Sequence, residues 1–189
     1  LVYNGVLGFA YTNMLEADSV KSAVESAVKF ARRLSGKTGL SREIVTTAYW
    51  LTDEHKKFED AGFDDLKERA EDYDSMVRQE RLIGERSIHV SGQLTTAYYV
   101  NSENTIVRSR ASRYSVTAIL TAHSDGKTAQ RFLQLGGSGG PEVLERLAVR
   151  DSIQEEVKSI PAIVKSTSSV EPGTYNVVVG PEISGIMAH

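Results

Sequence analysis

Residues 87–137 read SIHVSGQLTTAYYVNSENTIVRSRASRYSVTAILTAHSDGKTAQRFLQLGG. The stretch is dense in Thr, Val, Tyr, Ile and Ser, residue types that fit a pleated, half-buried surface. Two turn signals interrupt it, Asn101-Ser102-Glu103-Asn104 and Ser124-Asp125-Gly126-Lys127. Asp-Gly between two extended runs suits a two-residue type I′ hairpin, which needs positive φ at both positions. The pattern predicts four antiparallel strands near 87–100, 104–110, 112–123 and 127–135. The fold class expected is α+β, an antiparallel sheet with long helices packed on it.

Upstream, Val20, Ala23, Val24, Ala27, Val28, Ala31 and Leu34 recur at helical period and predict a helix over about Asp18–Ser35, with Asp18 as N-cap and Gly36 as stop. A second helix is expected over Phe63–Leu82, burying Phe63, Leu66, Ala70, Tyr73, Val77 and Leu82. Its remaining positions are rich in Asp, Glu, Lys and Arg and read as a solvated face. Between the helices, Ile44–Leu51 has strand composition and residues 52–62 are polar. The opening LVYNGVLGFAYTN reads as a β-segment with a turn at Asn4-Gly5.

After the flexible GGSGG at 136–140, Pro141 suits the first turn of a helix. Two helical stretches follow. The second carries a capping-box pattern at Ser152 and Glu155, and Pro161 is expected to kink or divide it. YNVVVG at 175–180 reads as a short buried strand, ended by Gly180-Pro181, and EISGIMAH then starts a helix that reaches His189. Residues 1–135 are expected to form most of one domain, with 136–189 bridging onward. Opening inside a β-segment and closing on His189, the chain reads as a fragment.

Composition narrows the function classes. The 189 residues carry 22 Lys+Arg against 25 Asp+Glu, a net charge of −3, without a long basic run. Nucleic acid and anionic membranes are poor partners for such a chain, because phosphate neutralisation needs clustered cations. The absence of cysteine excludes disulfide and thiolate chemistry within these residues. No stretch reaches the roughly 20 apolar residues of a membrane span, and the opening lacks the basic and apolar regions of a signal peptide.

Motifs inside the chain carry little chemistry. Gly36-Lys37-Thr38 resembles part of a phosphate loop, but the glycine that a P-loop needs further upstream falls in a helix, at Phe30 or Ala31. His55 reads as a surface residue, His89 as the exposed face of a strand, and His123 as a hairpin-end residue hydrogen-bonded locally beside Asp125. Asp64-Asp65 and Glu155-Glu156 are adjacent rather than facing, so they do not form an acid/base pair. No Gly-x-Ser-x-Gly elbow is present. His189 differs in its setting, at the end of an apolar strand, a Gly-Pro break and an apolar helix start. Such a delivery suits a neutral imidazole ligating a metal, and it is equally the setting of an incidental histidine at a helix end.

YNVVVGPEISGIMAH at 175–189 resembles the approach to the metal motif of the TldD/PmbA family, zinc metallopeptidases also described as modulators of DNA gyrase, and its archaeal members in particular. The order of the other segments agrees: GVLGFAYTN before a helix, a long charged helix, NSEN within a sheet, and SVEPGTYNVVV before the motif. The resemblance implies that His189 is the first histidine of a His-Glu-x-x-x-His motif and one zinc ligand. The catalytic Glu, a second His and a later cysteine ligand would lie beyond it. Zinc on three protein ligands keeps a position for water and lowers its pKa, and a neighbouring Glu takes the proton as that water attacks a peptide carbonyl. The resemblance further implies a cytoplasmic protein that hydrolyses unfolded peptides and assembles as a homo-oligomer or with a PmbA-like subunit. With one ligand, this chain alone is expected to be inactive. The alternative is a non-catalytic binding or assembly module of the PmbA kind.

Overall fold

The computed structural model describes residues 1–39, 44, 46–166, 168 and 170–189. The end of the 35–41 stretch, Val45 in the expected 44–51 strand, and two positions of the 166–174 loop lie outside these. The fold is α+β, and the chain divides into two units: residues 1–47 with 101–105, and residues 48–100 with 106–189.

In the first unit a small hairpin pairs β1 (Val2–Tyr3) with β2 (Val6–Leu7). Asn4 and Gly5 turn between them with φ of 47° and 72°, the two positive angles that the Asn-Gly signal calls for. Helix α1 (Ala17–Ala31) follows, and it buries only Ala27 and Ala31. Of the rest of the apolar stripe, Ala23 and Val28 are half-buried, while Val20, Val24 and Leu34 stay exposed. Glu16 rather than Asp18 is the N-cap, and Asp18 sits in the first turn, where its carboxylate complements the helix dipole. The helix also stops short of Gly36: Arg33 and Leu34 bond back to Phe30 and Ala31 in tighter i→i+3 turns.

The second unit is built on a four-stranded sheet. Strand β5 (Ile106–Ser124) is its centre, flanked by β4 (Ile83–Val100) on one side. The other side is shared by β3 (Thr47–Leu51) and β6 (Lys127–Ser138). The strands expected at 104–110 and 112–123 are thus one strand. Ala111 continues the ladder opposite Thr95 instead of breaking it. β4, β5 and β6 are antiparallel, and Asp125-Gly126 turns between the last two with φ of 49° and 74°. β3 runs alongside β5 in the same direction: Tyr49 lies against Arg108, and further along Thr52 N–H donates to Arg110.

Alternation along β5 sorts its side chains. Tyr114, Val116, Ala118, Leu120 and Ala122 are buried on the face covered by α2 (Phe63–Val77) and α4 (Val149–Ser166). Tyr73 and Val77 of α2 and Ile153, Ile160 and Val164 of α4 complete this core, with Val143 and Leu144 from the short α3 (Val143–Arg146). Each fully buried aliphatic side chain stabilises the fold by roughly 1.5–3 kcal/mol.

Several expectations are corrected here. Phe63 opens α2 at 79% exposure, and the helix ends at Val77 instead of Leu82. Ser152 is not an N-cap, since α4 already begins at Val149, and its hydroxyl donates back to the Ala148 carbonyl. Of the two outcomes expected at Pro161, division does not occur: the proline lies inside α4, which continues to Ser166, with Ile160 and Val164 in the core. Residues 175–180 form no strand, and Val178 is 100% exposed.

Candidate functional site

Helix α5 (Pro181–Ala188) carries the histidine singled out by sequence. Gly180 is its extended N-cap with Pro181 in the first turn, and Ser184 N–H donates to the Gly180 carbonyl. His189 caps the other end. Its N–H donates to the carbonyls of Gly185 and Ile186 at 3.2 and 3.3 Å, so the backbone is still helical where the histidine stands. Ile183, Ile186, Met187 and His189 are all exposed. The imidazole is therefore delivered on an open helix and not from a domain interior.

The other histidines stand apart from it. His55 and His89 are exposed, as expected. His123 does bond locally at the hairpin end, but Nδ1 meets Thr128 Oγ1 at 3.0 Å rather than Asp125. Among the described residues no group of three or more His, Cys, Asp or Glu side chains is placed to hold a metal ion. His189 is one donor where zinc needs three or four. The donors among the described residues do not make a zinc site.

The paired carboxylates have structural employment. Asp65 accepts the Gly62 N–H at 2.8 Å at the start of α2. Glu156 takes a two-pronged bond from Arg131 at 2.5 and 2.8 Å, tying α4 to β6. A cleft of about 580 Å³ lies between α2 and the α3–α4 corner. Two ion pairs cross it, Arg69 with Glu145 at 2.6 Å and Arg150 with Asp72. Its floor includes the buried Tyr73, whose phenol burial pushes up. The cleft's cations are thus spent on its own carboxylates.

Glu142, which no sequence pattern marks, is a highly connected acid. Its carboxylate accepts N–H donors from Gly140 at 2.9 Å, His55 at 3.1 Å and Lys56 at 3.3 Å. Burial opposes its ionisation, yet the backbone donors, its own among them, hold its carboxyl below the usual range. No local pattern announces this, since two of the partners come from a distant loop.

No protein-family model and no curated protein matches this chain. Among the described residues no helix is long and apolar enough to cross a membrane.

Proposed function

We propose that the chain is the front part of a TldD/PmbA-type zinc metallopeptidase that hydrolyses unfolded peptides, with His189 as one zinc ligand. The observation that carries this reading is the α5 arrangement. A Gly-Pro break opens a helix whose hydrogen bonding runs into His189, and YNVVVGPEISGIMAH resembles the family's approach to its metal. The donors missing here are those the family's motif places after its first histidine. The same resemblance supports a cytoplasmic location and assembly with a PmbA-like subunit.

A second reading, a non-catalytic assembly module, is favoured by exposed apolar surface. Tyr49, Trp50, Tyr98, Tyr99 and Val100 stand exposed on the sheet, a density of apolar residues that commonly marks a partner site.

Peptide hydrolysis by the full-length protein separates the two. Cleavage of a denatured protein substrate, abolished by a chelator and restored by zinc, supports the peptidase. A folded, metal-free and inactive protein supports the module.

A further inference from the structure

The face of the β4–β5–β6 sheet turned away from the helices holds a polar recess of about 380 Å³. Two adjacent rows of the ladder line it. Ser91, Ser115 and Gly136 form one row, and Gln93, Arg113 and Ser138 the other. Because the central strand is hydrogen-bonded on both sides here, the floor is rigid. Gly136 makes the hollow: a Cβ at that position would stand 2.8 Å from the Ser115 Cβ and 3.0 Å from the Tyr114 carbonyl.

The chemistry of the lining is one-sided. Three hydroxyls, an amide and a guanidinium face the recess, and no carboxylate lines it, although the chain has more acids than bases. Arg113 is also unlike the other arginines of the sheet. Arg86 pairs with Asp74, Arg110 with Glu54, and Arg131 with Glu156, while Arg108 stacks between Tyr49 and Tyr98. Among the described residues Arg113 has no such partner.

We propose that this recess is a binding site for an oxyanion, a carboxylate or a phosphate group, gripped by the Arg113 guanidinium and the hydroxyls of Ser115, Ser138 and Ser91. A guanidinium presents parallel N–H donors that match both oxyanions, and charge-assisted bonds of this kind are about twice as strong as neutral ones. The Ser91 and Ser115 hydroxyls already bond each other at 2.9 Å, which leaves one of the two hydrogens free to turn towards a ligand. The site stands independently of the peptidase reading and lies on residues that reading does not use.

Amide NMR titration of the protein tests it, with three probes: inorganic phosphate, an acetylated tripeptide with a free C-terminal carboxylate, and the same peptide amidated. Saturable shifts at Ser91, Gln93, Ser115 and Gly136 with phosphate, or with the free but not the amidated peptide, support the site and name its source. Arg113→Gln should weaken that binding roughly tenfold or more, while Arg81→Gln, remote from the recess, should not. Since Arg113 is exposed, its variant is expected to keep the wild-type spectrum elsewhere. Non-saturating shifts with all three probes overturn the proposal, as does equal weakening by the two arginine variants.

Discussion

Glu142 holds the backbone N–H of His55 at 3.1 Å across 87 residues of sequence. With Lys56 and Gly140 on the same carboxylate, this contact pins the loop after β3 onto the turn that follows β6. The pinned loop carries Phe58 over Tyr114, at 5.6 Å between ring centroids, and Glu54 against Arg110. One side chain thus closes that end of the core.

Glu142→Gln should therefore lower stability by about 1–3 kcal/mol, because N–H donors to a charged acceptor lose their partner's charge. The folded-state carboxyl lies below its ordinary range. Its contribution is then complete above the unfolded value of about 4.3 and is lost as pH falls through the lower folded value. Urea melts of both proteins should differ at pH 7 and converge in acid. A difference independent of pH would contradict the role.

Gly140→Ala should be among the costlier small substitutions in the chain. Its Cβ would fall 2.0 Å from the Lys56 carbonyl, a backbone atom that cannot rotate aside. Overpacking of this kind costs about 1–3 kcal/mol. Gly126→Ala makes the comparison: its φ is +74° but nothing lies within 4 Å, so only the left-handed backbone term of about 1–2 kcal/mol applies. Thermal melts should rank Gly140→Ala as the less stable, and the reverse order would show that the two loops are not joined as described.

Ile153→Ala should cost about 2–5 kcal/mol, since Ile153 is fully buried among α2, α4 and the sheet. Val178→Ala should change stability by no more than about 0.5 kcal/mol, since that side chain is 100% exposed. If Val178→Ala proves as costly as Ile153→Ala in chemical denaturation, residues 175–180 are packed in solution.

Much of the sheet was readable because its signals are local. Alternation along 112–122 and the Asp125-Gly126 turn depend on neighbouring residues alone, and both stand in the structure. The break expected near Ala111 does not, because Ala111 pairs with Thr95 and carries the ladder on as one long strand. The direction of β3 was beyond reach, since it depends on pairing with residues such as Arg108, far along the chain. Tyr175–Val179 misled for a related reason: apolar composition signals burial only when something is present to cover it. The helix that opens at Gly180-Pro181 and runs to His189 was legible from the Gly-Pro signal. Arg113 and Glu142 were not, because their environments are made by strand register and by a distant loop.

Metal analysis decides whether His189 ligates zinc as proposed. The full-length protein should be purified without added metal and its zinc measured by mass spectrometry, beside the His189→Ala variant. We predict close to one zinc per chain in the parent and a loss of most of it in the variant, with the same circular dichroism. Equal zinc in both, or none in either folded protein, would contradict the claim.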